Sequence, residues 1–146
     1  GHPVFSPDGR RVAYKAKKGE KSLVVVDGEV GPEYNGIGGL VFSPDGTRVA
    51  YAAQRGEKWL VVVDGEAGPE VDGIGEGDPI FSPDGKRVAY GAVKSDKQVV
   101  VVDGRPGPEY DKIIQNGPAF RADGVLEYLA HKEKILYRVK HVPEGG

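Results

Sequence analysis

The stretch Phe42-Ser43-Pro44-Asp45-Gly46 decides the fold, because it recurs along the chain. The same five residue types stand at 5–9 and 81–85, and a degenerate copy, Phe-Arg-Ala-Asp-Gly, stands at 120–124. The four phenylalanines are 37, 39 and 39 positions apart. Self-similarity at such a period is typical of repeat architectures. The 146 residues therefore divide into units at about 3–39, 40–78, 79–117 and 118–146, the last of which is incomplete.

Each unit continues in the same order. An Arg-Val-Ala-Tyr run is followed by a charged turn, a valine-rich run that ends in Asp-Gly, and a Gly-Pro-Glu segment. Short runs of β-branched and aromatic residues separated by Asp-Gly pairs indicate strands joined by tight hairpins. No sustained 3.6-residue apolar period occurs, so we predict no helix. In the first unit we predict a connector from Tyr34 to Phe42 and four strands, around 4–6, 10–16, 21–26 and 32–37.

The valine-rich third strands, such as Val61-Val62-Val63, carry apolar residues on both faces instead of alternating. Such strands must be covered on both sides. Small sheets that repeat along the chain and are buried on both faces can pack radially about an axis. We therefore predict an all-β fold, a β-propeller built from four-stranded antiparallel blades, with about four blades per chain.

The amino-acid composition argues against several classes of function. The chain has 20 Lys and Arg against 22 Asp and Glu, and this near-neutral balance argues against a nucleic-acid partner. With no cysteine there is no disulfide, thiolate metal site or cysteine nucleophile, and no apolar run approaches the roughly 20 residues of a membrane span. No metal-ligand spacing, phosphate loop or Gly-x-Ser-x-Gly elbow occurs. We expect no catalytic residue, no cofactor and no metal, and hence no enzyme activity.

The run Phe-Ser-Pro-Asp-Gly-x-Arg-Val-Ala-Tyr, present in three copies, resembles the WD40-like PD40 repeat of TolB-type β-propellers. Similar blades occur in the tricorn core protein and in the propeller domains of prolyl oligopeptidase-like enzymes. The resemblance covers nearly the whole chain. It implies a non-enzymatic scaffold that binds a protein or peptide, in the periplasm or outside the cell. The motif itself is explained by structure, because Pro, Asp and Gly set a turn and Phe packs between blades.

The fourth unit departs from the pattern. Its second strand, 126–130, is short, and the Gly-Pro-Glu segment is missing, so we expect a weak or absent fourth strand. At the other end, Phe5 has no covering segment, and exposed apolar faces and strand edges favour association. We predict a homodimer that closes an eight-bladed ring. The alternatives are a four-bladed monomer, an excised or engineered repeat fragment, and the propeller part of a larger prolyl oligopeptidase-like enzyme.

The turns between second and third strands are rich in lysine and should share one end of the ring with the connectors. This end is our candidate face for an acidic partner, although charged hairpin tips also serve solubility alone. Trp59 is included because an exposed tryptophan can anchor a contact. The candidate residues are Lys17, Lys18, Arg55, Trp59, Lys94, His131 and Lys132. We expect acidic residues, among them Glu33, Glu70 and Glu109, to collect on the opposite end.

Overall fold

The computed structural model describes residues 3–75 and 79–142, without the side chains of 115 and 116. The last three residues of the predicted second unit, 76–78, and the last four of the fourth, 143–146, lie outside this part. The described residues form strands, bridges and turns and contain no helix, as predicted. They accordingly hold no helical segment able to cross a membrane.

Four antiparallel sheets follow one another along the described chain, and we call them the first to fourth blades. The first blade consists of β1 (Val4–Phe5), β2 (Val12–Lys18), β3 (Lys21–Val26) and β4 (Glu29–Val30). The second consists of β5 (Gly36–Phe42), β6 (Val49–Arg55), β7 (Lys58–Val63) and β8 (Glu66–Ala67). The third consists of β9 (Gly73–Ile74), β10 (Ile80–Phe81), β11 (Val88–Lys94), β12 (Lys97–Val102) and β13 (Arg105–Pro106). The fourth consists of β14 (Lys112–Phe120), β15 (Leu126–Lys132) and β16 (Ile135–His141).

The fourth strand of each complete unit is shorter than predicted and lies earlier in the sequence. In the first blade it is Glu29–Val30, so the prediction of a strand at 32–37 is wrong. Pro32 has no N–H to donate to a ladder. Gly31 approaches the neighbouring strand so closely that an added Cβ would lie 2.9 Å from the Val24 carbonyl oxygen. The ladder therefore ends after two residues.

The stretch predicted as a connector is the first part of the next blade. After a single bridge between Ser22 and Tyr34, the chain crosses to the second blade and begins β5 at Gly36. β5 pairs with β6 over its length, with a register shift between Ile37 and Leu40. In the third blade, β9 and β10 both pair with β11 and are two parts of the corresponding inner strand.

Hydrophobic clusters lie between consecutive blades. Leu60 and Val62 of β7 pack toward the first blade, whereas Val61 between them packs toward the third. All three are at most 1% exposed, which confirms the two-sided burial predicted for the valine-rich strands. We call the side of a blade toward the next blade its forward face, and the side toward the preceding blade its back face.

The blades form an open arc over the described residues. The hydrophobic clusters join the first blade to the second, the second to the third and the third to the fourth, and within 3–75 and 79–142 none joins the fourth to the first. Within the described residues the fourth blade has three strands, as its missing Gly-Pro-Glu segment predicts. The prediction that its second strand is short is wrong, because β15 has 7 residues, as have β2, β6 and β11. The arc therefore has two end faces, the back face of the first blade and the forward face of the fourth.

A leucine pair tests the packing between blades. Leu60 is fully buried and Leu136 is 62% exposed. We expect Leu60→Ala to lower the free energy of unfolding by about 2–5 kcal/mol, because it opens a cavity between two blades. Leu136→Ala, the matched control, should change it by less than about 0.5 kcal/mol. Urea denaturation followed by circular dichroism measures both, and equal losses would contradict the assigned interface.

Candidate interaction surfaces

The hydroxyl groups of the repeated serines form hydrogen bonds within the turn that follows the first strand. Ser43 has no exposed surface, its Oγ donates to Asp45 Oδ1 at 2.7 Å, and it accepts from the Arg48 backbone N–H at 3.0 Å. The hydroxyl of Ser43 and the N–H and hydroxyl of Thr47 lower the pKa of Asp45 to about 2. The same serine–aspartate bond recurs in the first and third blades. These serines therefore shape the turn.

An arginine at the start of the second strand binds the next blade. Arg48 Nε lies 2.9 Å from Asp64 Oδ2 in its own blade. Its Nη1 donates to the carbonyl oxygens of Gly85 and Lys86 in the third blade, at 3.1 and 2.9 Å. Its guanidinium carbon lies 5.6 Å from the centre of the Phe81 ring, within range of a cation–π interaction. We call this set of contacts the arginine clasp.

The clasp is repeated in the first blade and altered in the third. Arg11 Nη1 donates to the carbonyl oxygens of Gly46 and Thr47, both at 2.9 Å. Arg87 instead donates through Nη2 to His141 Nδ1 at 2.6 Å, and its buried Nη1 has no hydrogen-bond partner among the described residues. The facing turn of the fourth blade is one residue shorter than the others, so it cannot present the same pair of carbonyls.

A second contact between blades lies at the opposite end of the ring. Asp72 accepts from Lys58 Nζ and from the backbone N–H of Ser95 in the third blade, the latter at 2.7 Å. Both bonds lower the pKa of Asp72. Asp111 repeats the contact between the third and fourth blades and accepts from the backbone N–H of Glu133 at 2.8 Å. We call this the connector end of the ring, and the end with the arginine clasps the turn end.

Three of the predicted candidates lie at the connector end of the first two blades. Lys17 and Lys18 close β2 and are exposed, and Lys18 Nζ lies 3.7 Å from a carboxylate oxygen of Glu33. Arg55 closes β6, and its guanidinium carbon lies 5.7 Å from the centre of the buried Tyr34 ring. Arg55 thus covers the chain segment that crosses between the blades.

Three further candidates occupy the same positions in the third and fourth blades. Lys94 closes β11 and Lys132 closes β15, and both are exposed. His131 is half-buried, and its carbonyl oxygen accepts from the Asp111 backbone N–H at 2.9 Å. These candidates are distributed around the connector end, one group to each blade.

Trp59 lies mainly between blades. It is half-buried and packs against the cluster shared by the second and third blades. It also lies against β5, where a Cβ added to Gly38 would be 3.7 Å from the indole ring. The indole is therefore partly committed to blade packing, and its use as an anchor for a partner stays a prediction.

The connector end carries mixed charge. Glu33 lies beside a lysine of this end. The pKa values of Lys58 and Lys97 are raised, chiefly by hydrogen bonds to the aspartates that join the blades, and further by the nearby charges of Glu70 and Glu109. The prediction that these three glutamates collect on the opposite end is wrong. The two-residue fourth strand and the Gly-Pro-Glu segment after it run back along the third strand, so that the glutamate lies near the connector end, where Tyr34 pairs with Ser22.

Two grooves lie between the outer strands of consecutive blades in the described part. One of about 600 Å³ is lined by Arg48 and Tyr90, and one of about 780 Å³ by Arg87 and His141. Burial raises the pKa of Tyr90 to about 12, and its hydroxyl has no hydrogen-bond partner within the described ranges. No group of three His, Asp or Glu side chains in those ranges could hold a metal ion. Both grooves are walled by clasp arginines and belong to the blade interfaces.

The back face of the first blade is apolar, and no cluster of the described part joins it to another blade, although Leu23 and Val25 of this face are buried. Phe5 is 62% exposed and Tyr14 is 40% exposed. Their counterparts one blade further on are covered, since Tyr51 is 4% exposed and Phe42 packs against the cluster between the first two blades. The sequence indicated the exposed end at Phe5 but not the role of Tyr14, which depends on the order in which blades pack.

The forward face of the fourth blade is charged. Glu127 Oε1 lies 3.0 Å from Arg121 Nη1, 3.0 Å from Arg138 Nη2 and 3.8 Å from Lys140 Nζ. Burial alone would raise the pKa of Glu127, but the hydrogen bond from Arg121 and the charge of Arg138 outweigh it and lower that pKa. The sequence analysis did not find this cluster. Its available signal was a glutamate where the other units have alanine.

Comparisons with solved structures identify the class of fold as a β-propeller. TolB from Acinetobacter baumannii matches with a TM-score of 0.53 at 16% identity, over 94% of this chain and 39% of its own. The β-propeller domain of the Trilobed protease from Pyrococcus furiosus, which has an open velcro topology, matches with a TM-score of 0.59 at 15% identity, over 100% of this chain and 54% of its own. A structure from a study of two prolyl endopeptidases matches with a TM-score of 0.53 at 16% identity, over 97% of this chain and 29% of its own.

These similarities confirm the β-propeller fold predicted from the repeats. Comparison with protein-family models and with curated proteins gives no match. The chain spans between 29% and 54% of the length of the three structures named above. The chain thus corresponds to part of each of these structures.

The arginine clasp can be tested with a conservative substitution. We expect Arg48→Lys to lower the free energy of unfolding by about 1–2 kcal/mol, because an ammonium group cannot bind the aspartate and both carbonyls at once. Arg10→Lys, at an exposed neighbouring position outside the clasp, should leave it unchanged within about 0.5 kcal/mol. Guanidinium denaturation measures both, and an unchanged stability of the Arg48 variant would contradict the clasp.

Acid unfolding tests the serine–aspartate turn. Because the pKa of Asp45 is about 2 in the folded chain and 3.8 ordinarily, its stabilisation is complete above about pH 4 and is lost as the pH falls toward 2. We expect Asp45→Asn to be less stable at pH 7 and to lose less stability between these pH values. Asp96→Asn, an exposed control in the β11–β12 turn, should follow the wild type. Identical acid profiles for the wild type and Asp45→Asn would contradict this assignment.

Proposed function

We propose that this chain is a non-enzymatic propeller module that acts by binding another polypeptide. The observation that carries the proposal is the uncovered back face of the first blade, with Phe5 62% and Tyr14 40% exposed. Exposed apolar surfaces of this kind mark interaction sites more often than single exposed residues do. The same kind of face is occupied in the other three blades, so it is suited to binding a further sheet.

The predicted homodimer is the simplest complex of this type. Two four-bladed arcs placed end to end would make an eight-bladed ring and would cover both copies of the first blade. This form is supported by the open arc and by the greater length of the propeller structures that the chain resembles. The alternative, the propeller part of a larger prolyl oligopeptidase-like enzyme, would cover the same face with blades of that enzyme.

Sedimentation equilibrium of the purified chain tests the binding face. We expect the mass to rise with concentration toward that of two chains. Phe5→Glu combined with Tyr14→Lys should restore the mass of one chain, because charged groups on the apolar face oppose its burial. Val30→Lys is the matched control: Val30 is 69% exposed but lies on the short outer strand, so the substitution should leave association unchanged.

The opposite pattern would refute the proposed binding face. Association that survives the double substitution, or that is abolished by Val30→Lys, would place the contact elsewhere. A mass of one chain at every concentration, with no change in any variant, would exclude the homodimer.

A further inference from the structure

The uncovered back face of the first blade repeats three faces that are occupied within the described arc. This inference rests on the proposed function, because it names what that face binds. We propose that its preferred partner is another β-blade, one that presents an arginine, a small residue and two valines in the arrangement of Arg11, Ala13, Val24 and Val26. The fourth blade of a second copy presents a different, charged surface, so the homodimer contact is weaker than a contact with such a blade.

The forward faces of the first three blades share one composition. In the first blade, Ala13 and Val24 pack against the second blade, and Ala13 has no exposed surface. Ala50 and Ala89 take the same place in the next two blades and are equally buried. A fully buried alanine leaves no space for a longer side chain. A partner blade must therefore carry a small residue at this position.

The back faces of the second and third blades are each contacted by the arginine of the preceding blade. The guanidinium carbons of Arg11 and Arg48 lie 5.5 and 5.6 Å from the ring centres of Phe42 and Phe81. Phe5 occupies the same position in the first blade, where it is 62% exposed. A preceding blade of the same repeat would place a guanidinium group over the Phe5 ring. That group would also donate two hydrogen bonds to the carbonyl oxygens of the turn that follows Phe5.

The position of Tyr14 also indicates that the partner of this face is a blade. In the second blade, Tyr51 meets the ring of Tyr34 edge to face, with ring centres 6.4 Å apart. Its hydroxyl lies beside the preceding blade, where a Cβ added to Gly31 would be 3.6 Å away. A blade that covers Tyr14 in this way would contribute a glycine after its short fourth strand and an aromatic ring three residues later.

The fourth blade replaces these features one by one. Its strand register places Glu127 opposite Lys140, where the first blade has Ala13 opposite Val26. Arg138 takes the place of a valine, and Val125 takes the place of the clasp arginine, since its carbonyl closes the corresponding turn. Polar outer faces are typical of terminal repeats that cap an array. Burying this charged cluster against Phe5 and Tyr14 would cost desolvation of every group in it.

Self-association of a converted chain tests the partner chemistry. In the full chain, Val125→Arg, Glu127→Ala, Arg138→Val and Lys140→Val would give the fourth blade the forward face of the other three. We expect the dimer dissociation constant measured by sedimentation to fall at least about tenfold relative to the wild type. Adding Phe5→Glu to the converted chain should reverse this gain. Arg138→Val alone changes a side chain that is 62% exposed, keeps the fold and should strengthen association in the same direction.

The outcomes separate this inference from the proposed function. If the wild type dimerises and the conversion leaves its dissociation constant unchanged or raises it, the first-blade face does not select for the repeat-type surface and the inference is overturned. If Phe5→Glu has no effect in either background, the face is not a binding surface and the proposed function fails with it. A gain that Phe5→Glu reverses supports both.

Discussion

The clasp arginines of the first two blades, Arg11 and Arg48, each make three kinds of contact at once. In the second blade, Arg48 holds Asp64 of its own sheet, binds two turn carbonyls of the third blade and lies over Phe81. Those carbonyls are in position only because Ser82 and Asp84 have shaped the turn that carries them. The turn motif and the clasp therefore depend on each other, because the turn of each blade positions the carbonyl oxygens that the arginine of the preceding blade binds.

Much of this arrangement could be predicted from the sequence. The Phe-Ser-Pro-Asp-Gly spacing predicted the blades, and the unbroken valine runs predicted burial on both faces. The partners of Arg48 could not be predicted, because carbonyl groups carry no sequence signal and belong to a turn 37 positions away. The connector was misplaced for a related reason. Where a strand ends at Gly31 depends on its approach to a neighbouring backbone, which the residue types alone do not show.

The candidate site divides in the same way. Lysines at the ends of strands were placed correctly at the connector end, since antiparallel order fixes which turns share an end. The charge of that end was not, because Glu70 and Glu109 lie beside the lysines of their own blades. The two end faces of the arc differ in charge. One glutamate in place of an alanine, Glu127, gives the fourth blade a charged outer face, while Tyr14 leaves the first blade apolar. The two end faces of the arc therefore suit different binding partners.

We expect a blade to be held mainly by the blade packed on its back face and by the arginine that crosses from it. Hydrogen exchange followed by mass spectrometry, at a concentration where the chain is monomeric, tests this claim directly. The third strand of the second blade, Lys58–Val63, is covered on both faces, whereas Lys21–Val26 is covered by a neighbouring blade on its forward face only. We predict that amides of Lys58–Val63 exchange at least about tenfold more slowly than those of Lys21–Val26. Equal protection of the two strands, or greater protection of Lys21–Val26, would contradict the account.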